Sequence, residues 1–173
     1  TKVKDSIKEQ INELKKENNA VILAHYYVSG DIQDIADYVG DSFYLSKIAT
    51  QTDADVIVMC GVEFMGESAK LLNKDKTVLL PDTNADCPMA HMCDADKIKI
   101  VRDTYDDVAV VCYINSTAEL KSLSDVCVTS ANAKKVVENL PNKNIYFIPD
   151  ENLGRYIAKQ LPDKHFIFND GFC

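Results

Sequence analysis

Apolar and polar positions along the chain change period in a regular order. Residues 3–18 set Val3, Ile7, Ile11 and Leu14 at helical spacing among charged neighbours, which predicts an amphipathic helix. The segment NAVILAHYY (19–27) then turns to a short apolar run that suits a buried parallel strand. DIQDIADYV (31–39) and SFYLSKIATQT (42–52) read as helices, the second with Asp41 or Ser42 as its cap. ADVIVMC (54–60) is the next strand, EFMGESAKLLN (63–73) a helix, and TVLLPD (77–82) a strand. After an unassigned stretch the order returns. DVAVVCYIN (107–115), DVCVTS (125–130), NIYFIPD (144–150) and KHFIFND (164–170) read as strands. TAELKSLS (117–124), SANAKKVVENL (130–140, capped by Ser130) and ENLGRYIAKQL (151–161) read as the helices between them. Such alternation predicts an α/β fold of parallel sheets with helices on both faces.

The two halves match in detail. His25 and Tyr113 close corresponding strands 88 residues apart, and Ser42 and Ser130 begin corresponding helices, again 88 apart. Cys87 and Cys173 end the two halves 86 residues apart. Three coincidences near one spacing predict a duplication: two homologous three-layer αβα repeats, 1–87 and 88–173.

Composition narrows the function classes. Of the 173 residues, 46% are hydrophobic and 27% charged, a globular balance. The net charge of −8 and the lack of a basic stripe argue against nucleic acid. No apolar run approaches the ~20 residues of a membrane span, and the charged N-terminal helix has no signal-peptide core. The expected location is cytoplasmic, with no membrane partner. Six cysteines are many for a chain of this length. In a reducing compartment they are metal ligands, catalytic groups or small core residues. Cys60, Cys112 and Cys127 lie inside apolar runs and read as core. Cys87, Cys93 and Cys173 lie in loop-like surroundings and are the ones to weigh as ligands.

Ligands of open parallel sheets bind at the carboxyl ends of the strands. His25, Tyr27, Ser42, Cys87, Tyr113, Asn115, Ser130 and Cys173 all fall just past strand ends or at helix starts. CPMAHMC is not a zinc-ribbon spacing, and there is no redox CxxC. Single cysteines supplied by separate repeats suit an iron–sulfur cluster. Spacing alone leaves that reading level with core or incidental cysteines. His25 is a candidate for proton transfer, and Tyr113 and Asn115 alternate along one strand side. Ser42 and Ser130 read as helix caps and as candidate anion contacts. His91 and His165 read as structural.

The phrases LAHYY, DIQDIADYVGDS, DADVIVMCGVEFMGESAK, KTVLLPD, YINSTAE, DVCVTSANA, PDENLGRYIA and GFC, in that order, resemble the quinolinate synthase family over residues 19–173. The resemblance implies a pseudo-threefold architecture of three homologous domains, of which this chain carries two. It implies condensation of iminoaspartate with dihydroxyacetone phosphate to quinolinate, phosphate and water, within NAD biosynthesis, on an oxygen-sensitive 4Fe–4S cluster. Carried over by motif, Cys87 and Cys173 look like two of the three cluster ligands. His25 and Tyr27 look like catalytic groups. His25, Ser42, Tyr113, Asn115 and Ser130 look like contacts to the small anionic substrates. A functional link to L-aspartate oxidase or aspartate dehydrogenase is implied as well. Asp86 and His91 stand where the family often has Gly and Asp. The third domain and its cysteine are absent from this sequence, so the chain alone is expected to be inactive. The alternative is a noncatalytic iron–sulfur or interaction module that a partner chain completes.

Overall fold

The computed structural model describes residues 2–173, with side chains described from Ser6 onward. Val3, the first apolar position of the N-terminal helix, therefore lies outside the described side chains. The chain forms two compact units, Thr1–Asp86 and Cys87–Cys173.

The first unit runs α1 (Lys2–Glu17), β1 (Ala20–His25), α2 (Gly30–Gln33), β2 (Tyr38–Gly40), α3 (Ser42–Gln51), β3 (Val56–Cys60), α4 (Glu63–Leu72) and β4 (Thr77–Leu79). The second opens on a 3-10 turn, Pro88–His91. It continues α5 (Ala95–Thr104), β5 (Val108–Tyr113), α6 (Ala118–Ser122), β6 (Val126–Val128), α7 (Ala133–Glu138), β7 (Asn144–Ile148), α8 (Glu151–Ala158) and β8 (His165–Phe168). Each unit holds one four-stranded parallel sheet, in the orders β2-β1-β3-β4 and β6-β5-β7-β8. Both are three-layer αβα arrangements, as the alternating pattern predicts.

The duplication is written in the hydrogen bonds. In the first unit the Asp37 carboxylate accepts from Ile22 N–H at 2.8 Å, and Asp37 N–H donates to Ile22 O at 2.9 Å. In the second, Asp125 accepts from Val110 N–H at 2.7 Å and donates to Val110 O at 3.0 Å. Lys15 pairs with Asp37 at 2.7 Å, and Arg102 with Asp125 at 3.0 Å. The Lys76 ammonium donates to Thr52 O, and Lys164 occupies the same place on Leu140 O. Asp37 and Asp125, and Lys76 and Lys164, are each 88 residues apart.

The Asp37 clamp explains the first difference from the sequence pattern. DIQDIADYV has helical periodicity but forms a single turn, Gly30–Gln33, and then strand β2. Two bonds to β1 and a place in the ladder outweigh local helix propensity, which is a weak prior in a segment this short. Subtracting 88 from β6 (Val126–Val128) lands on Tyr38–Gly40, so the repeat itself carried the missing strand. The unassigned stretch after Cys93 forms α5, capped by Asp94, whose carboxylate accepts from Lys97 N–H at 2.8 Å.

In the second unit alternate strand residues face two apolar layers. Val111, Ile145 and Phe147 meet Val137 and Ile157 on one face. Val108, Val110, Cys112, Tyr146 and Ile148 meet Ile98 and Leu120 on the other. The first unit buries Leu23, Ile57 and Met59 with Leu45, Phe64 and Met65.

Candidate functional site

The carboxyl ends of β1 and β2 carry three candidate residues of the first unit, His25, Tyr27 and Ser42. His25 ends β1 and pairs in register with Gly40 at the end of β2. Gly40 leaves room for the Tyr44 ring, from which a Cβ would lie only 2.2 Å away. The next residue, Asp41, caps α3 by accepting from Tyr44 N–H at 2.7 Å. Ser42 is thus the first helical residue, not the cap. An aspartate accepts this bond with a full charge at the positive end of the helix, and the serine hydroxyl takes no part in it.

His25 Nδ1 accepts from Tyr27 N–H at 3.2 Å. A neutral imidazole with Nδ1 as acceptor carries its proton on Nε2, so His25 presents a donor. Burial lowers its pKa below the usual value, and the nearby Asp41 carboxylate opposes the shift. The Tyr27 ring meets the imidazole edge-on at 4.5 Å, and Tyr27 itself is 93% exposed. The strand stops at His25, and Tyr26 and Tyr27 belong to the turn beyond it.

In the second unit, Tyr113 ends β5 in register with Val128 of β6. Tyr113 and Asn115 were expected to share one strand side. The strand ends at Tyr113, however, and Asn115 lies in the bend that follows, so strand alternation does not relate them. Asn115 Oδ1 and Thr129 Oγ1 are buried without a hydrogen-bond partner among the described residues. Such groups cost free energy unless something donates or accepts there. Ser130 does not cap α7 either. Asn132 precedes that helix, its Oδ1 accepting from Thr129 N–H at 2.7 Å, and Ser130 is held inside the resulting turn. An Asn side chain that reaches back over the turn takes the place a serine cap would have had.

The two cysteine loops are anchored alike. Glu63 N–H, at the start of α4, donates to Ala85 O at 2.9 Å. Glu151 N–H, at the start of α8, donates to Gly171 O at 2.7 Å. The accepting carbonyl stands two residues before Cys87 in one case and before Cys173 in the other. Gly171 passes so near the backbone that a Cβ would lie 2.3 Å from Pro149 O. Within the second unit the two segments are also tied to each other. Asn169 Nδ2 donates to Met92 O at 3.1 Å and to Pro149 O at 2.9 Å, and Phe172 N–H donates to Met92 Sδ at 3.3 Å. The stretch that opens with Cys87 is thereby bonded to the stretch that closes with Cys173. Neither cysteine is in a disulfide; Cys87 is half-buried and Cys173 exposed.

The remaining cysteines divide differently from the sequence expectation. Cys112 is buried and Cys60 half-buried, but Cys127, expected in the core, is exposed because β6 is an edge strand. Cys93, which lies in loop-like sequence but is not a ligand in the family pattern, is buried against Tyr146, its Sγ 3.6 Å from the phenol oxygen. Burial raises its pKa, which suits a packed thiol rather than a ligating thiolate. His165 is exposed, its Nδ1 2.8 Å from Asn144 Oδ1. A groove of about 590 Å³ lies between α1 and the sheet of the first unit, lined by Leu14, Ile22, Ile35, Val58, Cys60 and Leu79. Among the described residues no helix is long and apolar enough to cross a membrane.

Comparison with known proteins adds the following. The family described as NadA, quinolinate synthetase A protein, matches residues 9–173. A quinolinate synthase of Fusobacterium nucleatum is 58% identical over 167 residues, covering 96% of this chain and 56% of that protein. One from Clostridioides difficile is 57% identical over 164 residues, covering 95% and 54%. One from Aquifex aeolicus is 51% identical over 173 residues, covering 98% and 54%. The chain spans about half the length of the curated relatives it matches.

Proposed function

We propose that this chain, which belongs to the quinolinate synthetase A protein family, supplies two cluster ligands and part of the substrate site of a quinolinate synthase. The activity is proposed for a protein of the relatives' length that contains these residues. The substrates are iminoaspartate and dihydroxyacetone phosphate, and the products quinolinate, phosphate and water. Iminoaspartate must come from an enzyme that oxidises aspartate, an oxidase or a dehydrogenase, so the partner reaction is of that class. Six cysteines with no disulfide among them suit a reducing cytoplasm.

The observation that carries this reading is the matched anchoring of the cysteine loops, Glu63 N–H on Ala85 O and Glu151 N–H on Gly171 O. Cys87 and Cys173 fit a 4Fe–4S cluster as two soft thiolate donors on loops held by backbone rather than by mobile side chains. Held by these cysteines, such a cluster would supply Lewis acidity for loss of a hydroxyl as water. The chain's own residues supply the rest. His25, neutral near pH 7 and with its proton on Nε2, donates to a substrate oxygen and takes part in proton transfer. Tyr27, in edge contact with that ring, is the second proton-transfer group. The Asn115 carbonyl oxygen needs a donor, which a substrate hydroxyl or imine N–H provides. Tyr113, Ser42 and Ser130 complete the proposed contacts, the two serine hydroxyls being uncommitted as caps.

The test is anaerobic cluster reconstitution of the full-length protein with Cys87→Ala or Cys173→Ala. Each variant is expected to lose the cluster absorption and iron content. A complete cluster in either one would sink the ligand assignment.

A further inference from the structure

We propose that Cys112 and Cys127 form a reversible thiol–disulfide site, with exposed Cys127 meeting the oxidant and buried Cys112 resolving it. This inference does not rest on the synthase reading and concerns residues to which that reading assigns nothing.

The geometry carries it. Cys112 of β5 and Cys127 of β6 are register partners on adjacent parallel strands. Neighbouring strands lie about 4.8 Å apart, inside the roughly 4.4–6.8 Å between Cα atoms that a disulfide spans. In-register residues of a parallel pair leave the sheet on the same face. Cys112 belongs to the apolar layer that contains Val110 and Leu120, whereas Val126 and Val128 pack into the opposite layer. Cys127, lying between those two valines, therefore faces the same way as Cys112.

Access and charge divide the roles. Cys127 sits on an edge strand in solvent, and Cys112 is fully buried. The Cys127 pKa is pushed down to about 7, mainly by a hydrogen bond from the Cys112 thiol, with the Lys121 ammonium helping. Cys112 is pushed up by the same contact and by burial. The proton of the pair thus stays on Cys112, whose Sγ also lies 2.9 Å from Ser116 Oγ. A thiolate in solvent beside a protonated, shielded thiol is the arrangement of an attacking and a resolving cysteine.

The oxidant is a low-molecular-weight disulfide of the glutathione class. The Cys127 thiolate attacks one of its sulfurs, forming a mixed disulfide and releasing one thiolate. Cys112 then attacks Cys127 Sγ, its proton passing to solvent or to the leaving group, and the second thiolate departs. Two protein thiols and one disulfide become one protein disulfide and two small thiols. The bond joins β5 to β6 just before the segments that carry Tyr113, Asn115, Thr129 and Ser130.

The experiment treats the reduced full-length protein with glutathione disulfide, blocks free thiols at low pH and maps tryptic peptides. Cleavage after Arg102, Lys121 and Lys134 separates residues 103–121 from 122–134. The expected product is these two peptides joined and two hydrogens lighter than their reduced sum, separated again by dithiothreitol. Cys112→Ser is expected to stop at a stable glutathione adduct on Cys127, and Cys127→Ser to leave Cys112 reduced. The proposal is overturned if wild-type Cys127 stays as the mixed disulfide or pairs with another cysteine. It is equally overturned if both thiols remain alkylatable under conditions that fully oxidise a dithiothreitol control.

Discussion

The α1 face of the first unit and the α5 face of the second stand on the same topology and the same clamps, yet the place of Val58 and Asn18 is filled by large side chains in the second alone. On the first, Val58 lies midway along β3 and Asn18 follows α1, and both line the 590 Å³ groove. Leu14 is 57% exposed and Ile7 50% exposed, so the helix places apolar side chains over a gap. On the second, Tyr146 stands where the repeat has Val58, 88 residues on, and Tyr105 stands where it has Asn18, 87 on. Both tyrosines pack into the apolar layer of α5, and Tyr146 is only 3% exposed. Its hydroxyl reaches Asn169 Oδ1 at 3.5 Å, and Asn169 in turn holds the Cys173 loop. The backbone framework of a βα repeat therefore tolerates large changes in side-chain volume on one face. The same replacement that fills the second unit also connects its core to a cysteine loop.

The largest expected effect comes from undoing that filling. Tyr146→Val makes the second unit resemble the first and should cost about 2–4 kcal/mol, the range for large-to-small changes in a packed core. Hydrogen exchange of the β5 and β7 amides reads it locally, and the reciprocal Val58→Tyr should change β1 and β3 protection far less. Equal responses would break the comparison. Next are the clamps. Asp37→Ala and Asp125→Ala each leave a strand N–H without its carboxylate, and each should cost about 1–3 kcal/mol by denaturant unfolding. The ion pairs to Lys15 and Arg102 add little, being partly exposed. Matching losses sharpen the equivalence of the two units; a loss in one alone would count against it.

The smallest effect is a pH slope at His25. Its folded pKa lies below the usual 6.5, so the unfolded chain binds more protons between those values. Stability is therefore full above the unfolded value and falls as pH drops through it toward the folded one. His25→Gln should flatten that part of the curve, and the His25 NMR titration midpoint should lie below 6.5. A midpoint above it would mean that Asp41 outweighs burial.

Much of this was legible in the residues. Period and punctuation located every described α-helix and β-strand except β2 and α5, if the short turn at 30–33 is counted as found, and the spacing of 88 related the units. The missed strand β2 lay in a segment whose own period is helical, and only the bonds of Asp37 to β1 turn it into a ladder. The site residues were visible as types at strand ends, but their partners were not. That Asp41 rather than Ser42 takes the cap, that Asn132 rather than Ser130 folds over its turn, and that Tyr27 N–H sets the His25 tautomer all depend on backbone direction after a strand.

By itself, then, the sequence determined the alternation of elements, their duplication, and the placing of one cysteine at the end of each repeat, because periodicity and spacing are local properties of a chain. The tertiary structure alone decided which cysteines meet solvent and which meet each other. Cys112 and Cys127 sit in similar apolar runs, and nothing local separates them. Their difference follows from sheet order: β5 is covered on both sides by neighbouring strands, β6 is an edge, and exposure is a property of neighbours that the chain brings from far away.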